Sequence, residues 1–578
     1  MNPARSRTIA FAAVATLSAS LPAFAQVIPP SALPGSALPG RERQQFQEQP
    51  PARAQPGGPA IKLPSTVAPE GADRIVLVLR GVQIEGATIY RPEEMQTLYQ
   101  DLVGHQVTLT AVYDIAQRLT AKYGNDGYVL TRAVVPPQEL SPDGAIVRIQ
   151  VIEGYIDHVE WPAAVANYRD FFADYTARII ADRPTNIRTL ERYLLLAGDL
   201  PGLKFKNSLK PSATKPGAAT LVVEVVEKPI DALARVDNRG TRSRGPFEFF
   251  GSTTINNALR MHDAFTLNAA GSFQTRELIY AGGSWRQVLT SEGLTAFVNG
   301  SYSWGHPGLP VSPLLDYKTR SAFVEGGFSY PFIRLRERNL TGTVLGFASD
   351  DQSDSLGAPL IRDRLRGVRV KADADAADPW NGINQLNLVF SQGIDGLGSS
   401  KNGNFVTITN GTTLLSRQNG RVDFSKFEAT ATRLQPLPAS FSVLAAVYGQ
   451  YAFTPLLAPE LCGYGGRVFG RAFAPSTLLG DSCVELLGEL RYDLPAMLKQ
   501  LTQTQLYGFA DRGWLHNIAT TSPTGANVDG ASVGGGLRLG WLTDFTGPTA
   551  FNADLSAAKG VAGPHQDWRF FFIVTGRY

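Results

Sequence analysis

Along the chain the spacing of apolar and polar positions changes its period, and the change divides the sequence. After Pro92, a residue favoured in the first turn of a helix, Met95, Leu98, Tyr99 and Leu102 recur at helical spacing, and Val112, Ile115, Leu119 and Tyr123 repeat this before Gly124. The runs "YVLTRAVV" (128–135) and "AIVRIQVIE" (145–153) read as strands, the second with Val147, Ile149 and Val151 alternating with Arg148 and Gln150. The spacing predicts a small α+β unit of βααββ type over 74–154. A second unit over 155–228 repeats the scheme, with a strand "YIDHVEW" (155–161), a helical face of Phe171, Tyr175 and Ile179, a helix "NIRTLERYLLLAG" (186–198) and a closing strand "TLVVEVVEK" (220–228).

From about 229 to 578 the helical period almost disappears. In "GLTAFVNGSYSW" (293–304), Leu294, Ala296, Val298, Tyr302 and Trp304 alternate with Thr295, Asn299, Ser301 and Ser303, although Phe297 interrupts the polar side. In "FSVLAAVYGQY" (441–451) Phe441, Val443, Ala445, Val447 and Tyr451 share a face, and in "ASVGGGLRLGW" (531–541) Val533, Leu537, Leu539 and Trp541 oppose Ser532, Arg538 and glycines. Each run is about ten residues long, the length of a tilted membrane-spanning strand. At roughly 20 to 22 residues per strand and connection, this region predicts about sixteen antiparallel strands. The last run, "DWRFFFIVTGRY" (567–578), puts Trp568, Phe570, Phe572, Val574 and Tyr578 on one face with aromatics near both ends. Aromatics collect in that way at the two edges of a bilayer, which favours a transmembrane barrel over a soluble β-domain.

Composition adds limits. The 578 residues leave room for more than one domain, and a net charge of +3, from 54 Lys+Arg against 51 Asp+Glu, gives no strong field for nucleic acid. Residues 1–25 order two arginines, an apolar run and Ala23-Phe24-Ala25 as a secretory signal does, with cleavage expected before Gln26. Residues 26–73, rich in Pro, Gly, Ala and Gln, read as a linker in which "RERQQFQEQ" (41–49) forms a short polar helix. The two cysteines, Cys462 and Cys483, make one candidate disulfide in a compartment that permits it. The six histidines have no metal-binding spacing, and no phosphate-binding loop or nucleophile elbow occurs. No catalytic residue, metal or cofactor is expected, so the energy for any transport must come from the transported chain.

Specific motifs carry a resemblance. "YGNDGYVLTRAVVPPQELSPDGAIVRIQVIEG" (123–154) resembles the first periplasmic POTRA module of two-partner secretion transporters, the TpsB branch of the Omp85 superfamily, and "LERYLLLAGDLPGLKFKNSLKPS" (190–212) resembles the second. "GRAFAPSTLLGD" (470–481) is similar to the Arg-Gly-Tyr/Phe motif of the inward-folded loop of Omp85 proteins. Gly470, Arg471 and Phe473 are its counterparts, Ala472 stands where the family has glycine, and Arg467 is a second candidate for the arginine. "GFADRGW" (508–514) resembles the Phe-x-Asp-x-Gly strand motif, giving Phe509, Asp511 and Gly513.

The resemblance implies an outer-membrane barrel (229–578) preceded by two periplasmic modules (74–154 and 155–228). It implies a transporter rather than an enzyme, acting as a monomer among outer-membrane lipids to export a large unfolded exoprotein; an Omp85-type insertion factor is the alternative. In that frame the modules receive the cargo, with Tyr128, Pro136, Pro137 and Gln138 in the first and Leu200, Pro201 and Gly202 in the second as candidate contacts, and the polar helix plugs the barrel. Arg471 is expected to pair with Asp511, and Cys462 and Cys483, at the ends of the flanking strands, to pin the base of the loop.

Overall fold

The computed structural model describes residues 34–46, 51–57, 67–167, 171–212, 214–308, 316–403, 413–495, 500–518, 526–543 and 549–578. The signal-like segment 1–25 and the end of the predicted polar helix, 47–49, lie outside the described residues.

The first module places strand β1 (Val76–Glu85) beside β4 (Ala145–Ile152) in parallel, with short β2 (Gln106–Thr108) and β3 (Arg132–Val134) at the edges in the order β2-β1-β4-β3. Helix α3 (Leu109–Asn125) starts where the Thr108 side chain accepts from the Ala111 N–H at 3.3 Å, and it buries Val112, Ile115, Leu119 and Tyr123 against Leu77, Leu79, Val147 and Ile149. Two expectations need correction. The helix predicted after Pro92 is only α2 (Pro92–Gln96), continued by a turn and a 3-10 turn at Gln100–Leu102, and the predicted strand 128–135 pairs only over β3.

The second module has strands β5 (Tyr155–Glu160), β6 (Leu203–Pro211) and β7 (Ala218–Glu227) in the order β5-β7-β6, under helices α4 (Phe171–Ala181) and α5 (Ile187–Gly198). Phe171, Tyr175, Ile179, Leu190, Tyr193 and Leu196 meet Ile156, Leu203 and Leu221 in one core. Strand β6 was not anticipated. Its alternation of Leu203, Phe205 and Leu209 with lysines is a strand signal that the helix-and-turn motif around it concealed.

The rest of the described chain closes into a barrel. Its strands begin with β8 (Ile230–Asp237), β9 (Glu248–Asn256), β10 (Asp263–Ser272), β11 (Ile279–Val288), β12 (Thr295–Gly305), β13 (Lys318–Arg334) and β14 (Arg338–Ser355). They continue with β15 (Ala358–Ala377), β16 (Ile383–Gly393), β17 (Ser425–Pro436) and β18 (Phe441–Ala452). A separate small hairpin, β19 (Cys462–Tyr464) with β20 (Leu478–Gly480), comes in chain order before the wall strands β21 (Ser482–Asp493), β22 (Leu501–His516), β23 (Asn527–Thr543), β24 (Thr549–Ala562) and β25 (Trp568–Arg577). Strand β25 pairs with β8, which closes sixteen antiparallel strands and leaves no edge among them.

Alternation decides which side faces out. On β12 Val298, Tyr302 and Trp304 are exposed outward while Ser303 is buried inward, and on β18 Phe441, Val447 and Tyr451 point out while Gln450 points in. Phe297, which breaks the polar side of its run, packs inside with Phe323 and Phe347. The modules join the barrel at one mouth, which fixes the turns around Glu292, Pro331 and Arg336 as the periplasmic ones. Arg192 and Tyr193 both donate to Glu292 at 2.9 Å, Arg334 donates to Asp199 at 2.6 and 2.8 Å, and Phe171 stacks on His262 at 4.7 Å. Burial, reinforced by the hydrogen bond to Glu292, pushes the Tyr193 phenol up, so it stays a neutral donor at this joint.

A loop and a helix packed inside the barrel

The segment between β18 and β21, residues 453–481, turns back into the lumen instead of extending from the rim. Three backbone features allow this. Gly470 has φ of +65°, a left-handed conformation that side chains resist, and an added Cβ there would meet Gly465 at 2.6 Å. On the wall, Gly513 leaves a hollow for the Tyr464 ring, since a Cβ at Gly513 would fall 2.4 Å from it. Residues 458–460 make one 3-10 turn, whose Glu460 meets Arg369 at 2.6 Å and Lys426 at 3.0 Å.

The motif residues meet on β21, β22 and β23, with a different pairing from the one expected. The Arg471 guanidinium forms an ion pair with Glu489 of β21, not with Asp511, and lies 4.6 Å over the Phe509 ring. Asp511 instead holds the loop backbone: it accepts from the Gly470 and Arg471 N–H groups at 3.1 and 3.3 Å, from Ser532 at 2.7 Å and from the Tyr464 hydroxyl. The reason is reach. Once Asp511 accepts the backbone of residue 471, the side chain of that residue starts beside the carboxylate and extends past it. Its terminal nitrogens arrive at Glu489, which Arg538 also contacts at 2.8 Å and Arg491 at 2.7 Å. All three carboxylate and arginine centres, Arg471, Glu489 and Asp511, are buried.

Arg467 lies elsewhere. It bonds Asp237 at 2.6 Å, approaches Glu248 at 3.4 Å and donates to the Gln45 carbonyl at 3.0 Å, so it joins the loop to the amino-terminal segment. Phe473 is buried against Tyr464 with ring centroids 5.7 Å apart. Sequence reasoning missed Tyr464, Glu489, Ser532, Arg538 and Arg239, whose guanidinium donates to the Arg471 carbonyl. A signal for Glu489 was present: with Glu485 in "VELLGEL" it lies four apart in a strand, on the face opposite exposed Val484, Leu486 and Leu490.

Helix α1 (Glu42–Phe46) sits beside this loop in the lumen. Arg41, buried, donates to the carbonyls of Ala458 at 3.2 Å and Leu461 at 2.6 Å and to the Ser476 hydroxyl at 3.0 Å. Glu42 accepts from Ser303, Arg43 pairs with Asp351 at 3.5 Å, and Phe46 packs on Tyr280 at 5.4 Å. The chain leaves toward the periplasmic mouth, where Gln55 donates to the Arg336 carbonyl at 2.9 Å.

Cys462 and Cys483 are bonded, with Cα atoms 6.5 Å apart. Their placement differs in part from the expectation: Cys483 begins the leaving strand, but Cys462 lies ten residues beyond the end of the entering strand, on the loop's own β19.

In the modules, Tyr128 packs edge-on to Tyr123 at 6.1 Å, and Pro136 and Pro137 follow β3. The Gln138 side chain imitates a strand, accepting from the Arg148 N–H and donating to its carbonyl, both at 2.8 Å. Leu200 is a buried core residue and offers no surface to a partner, a correction to its selection. Pro201 and Gly202 line a cleft with Lys228, Asn256 and Arg260 at the module–barrel joint. Among the described residues no cluster of His, Cys, Asp and Glu is placed to hold a metal, and no helix is long and apolar enough to cross a membrane.

Comparison with known proteins follows this architecture. The family model "POTRA domain, ShlB-type" matches residues 77–154, and "Haemolysin secretion/activation protein ShlB/FhaC/HecB" matches residues 374–539. Both matches are to models of TpsB transporters, the family that the chain resembles in sequence. Among its relatives, the heme/hemopexin transporter protein HuxB of Haemophilus influenzae (strain 86-028NP) is 23% identical over 501 residues, covering 82% of this chain and 83% of HuxB. The outer membrane transporter CdiB of Dickeya dadantii is 21% identical over 483 residues, covering 80% and 81%. The fold is similar to solved CdiB from Escherichia coli (TM-score 0.64, 17% identity, 89% of this chain and 94% of the other) and from Acinetobacter baumannii (0.57, 15%, 93% and 95%). The chain is thus an outer-membrane β-barrel with amino-terminal POTRA modules, similar throughout to TpsB transporters.

Proposed function

We propose that this transporter exports one large partner protein, unfolded, from the periplasm to the cell surface. The observation that carries the reading is the state of the lumen: what fills it is a helix and a loop held by side-chain bonds, not strands of the wall, so the obstruction can move while the barrel stays closed. The first helix of the filling belongs to the same amino-terminal region that leads into the modules at the periplasmic mouth. There the strand edges of β5 and β6 give an extended chain main-chain donors and acceptors with little demand on its sequence. Tyr128, Pro136, Pro137 and Gln138 are the candidate contacts in the first module. The relatives, a heme/hemopexin transporter and CdiB transporters, fit a transport role of this kind. No nucleotide-binding motif occurs in the sequence, so folding of the exported chain outside supplies the drive.

Deleting residues 74–228 tests the division of labour. Export should cease while a heat-modifiable barrel still inserts, because the barrel's hydrogen bonds close on themselves; continued export would refute it. The plug is tested separately: deletion of 31–49 should raise single-channel conductance and leave export largely intact.

A further inference from the structure

The outward face of β13, β14 and β15 changes character partway up the wall. On β15 the outward positions from Ala376 through Ala374, Ala372 and Val370 to Val368 are apolar, and the next three are Arg366, Arg364 and Arg362. On β13 the outward series runs from Phe328 through Val324 and Ala322 to Arg320, and on β14 from Val344 through Ala348 to Asp350, Gln352 and Asp354. The register aligns the change: Ala322 faces Asp350, which faces Arg364, and Ala348 faces Arg366. These strands hold 17, 18 and 20 residues, more than the roughly ten needed to cross the apolar layer, so the charged rows stand directly above it on the side away from the modules.

Four of the five cations of this patch are arginine, the fifth being Lys318, paired with Asp316 at 2.7 Å, and the arginines are unequally paired. Arg362 grips Asp350 with two bonds of 2.9 and 2.7 Å, and Arg320 pairs with Asp354. Arg364 only approaches Asp350, at 3.6 Å. Arg366 makes no ion pair among the described residues; one of its nitrogens donates to the Ser349 and Leu365 carbonyls, both at 2.7 Å, which fixes the guanidinium and leaves its other N–H groups unengaged by any carboxylate. Arg364 and Arg366 are two apart on one strand face, about 7 Å between Cα atoms, close enough for one phosphate to accept from both.

We propose that Arg364 and Arg366 bind the phosphate of a phosphorylated lipid of the outer leaflet, whose acyl chains lie on the apolar wall of Val324, Val344, Val368 and Val370. Charge complementarity selects the occupant: two guanidiniums, that of Arg366 fixed by backbone carbonyls, meet the anionic headgroup layer at the height where the apolar belt ends. Arginine forks engage phosphate in a bidentate way that neutral headgroups do not reward.

The test uses the full-length protein in nanodiscs and native mass spectrometry, with diphosphoryl lipid A, its dephosphorylated form and phosphatidylcholine as probes. Wild-type protein should retain diphosphoryl lipid A, and Arg364→Gln with Arg366→Gln should lower retention about tenfold, the loss of one charge-assisted contact or more. Arg421→Gln, an exposed arginine paired with Asp423 outside this patch, should change nothing. If the Gln pair fails to give a heat-modifiable barrel, Arg364→Lys with Arg366→Lys decides, because it keeps the charge and removes the fork: it should retain the lipid less than wild type but more than dephosphorylated lipid is retained. Equal retention by wild type and the Gln pair, equal binding of the dephosphorylated lipid, or loss of partner export with unchanged lipid retention would each overturn the proposal, the last by assigning the arginines to the exported chain.

Discussion

Arg471 and Glu489 form a buried ion pair between the inward-folded loop and strand β21, and Asp511 holds the same stretch of loop through its backbone. Two carboxylates thus secure one arginine residue at two places, and they should respond differently to substitution. Arg471→Ala leaves Glu489 still paired with Arg491 and Arg538, so it should cost less than the roughly 3 to 5 kcal/mol of a buried charge left alone. In a double-mutant cycle read by thermal unfolding of the heat-modifiable band, Arg471→Ala and Glu489→Gln should couple by about 1 to 3 kcal/mol. Simple additivity would show that the pair does not secure the loop.

Gly513 is a steric test of the loop's position. Gly513→Ala puts a methyl group 2.4 Å from Tyr464, an overpacking expected to cost about 1 to 3 kcal/mol and to raise conductance by displacing the loop. Adding Tyr464→Ala vacates the hollow, so the double variant should lose less stability than the two single losses combined. A larger combined loss would mean that the ring does not rest there.

Arg41 joins the plug to the loop through three acceptors. Arg41→Ala should remove about 1 to 3 kcal/mol from the helix–loop contact, visible in planar bilayers as more frequent openings of the conductance seen when 31–49 is deleted. Closed-state lifetimes equal to wild type would place the restraint on other residues of α1.

At the periplasmic mouth, Asp199 accepts two bonds from Arg334 and one from Arg53 at 3.4 Å. The pair is partly open to solvent, so Asp199→Ala should cost only about 1 kcal/mol. Hydrogen exchange should quicken in α5 while the barrel strands keep their protection. Unchanged exchange in α5 would show that the contacts at Glu292 and His262 seat the module without Asp199.

Where burial follows the chain's own period, the sequence was legible. The outward faces of β12, β18 and β25 are those the alternation assigns, and the core positions of α3, α4 and α5 match their helical spacing. The failures have local causes. Leu98, Tyr99 and Leu102 do pack on the first module's core, but in a turn rather than a helix, because a short apolar series at that spacing suits both. The predicted strand 128–135 is cut down as Tyr128 stays in the packing against Tyr123 and the prolines at 136 and 137 lack the N–H a ladder requires.

The site was legible as a set of residues and not as a set of bonds. Arg471 and Asp511 do lie together, yet the choice of Glu489 for the guanidinium depends on a backbone hydrogen bond that no residue spacing announces. Arg467 and Gln45 meet across 422 residues of chain, a contact set by how the loop and the plug share the lumen.

The Cys462–Cys483 bond makes the tip of the loop a ring, and a ring is a leash of fixed length. Nine residues lead from Cys462 to Arg471, so with the bond intact Arg471 can swing no farther than about 30 Å from the staple even when fully extended. Reduction would leave Arg471 tied by the twelve residues that lead to Cys483 in the wall, so its reach would grow to about 40 Å. Oxidation therefore sets how far the loop can be pushed aside by a passing chain and how short its way back is afterwards.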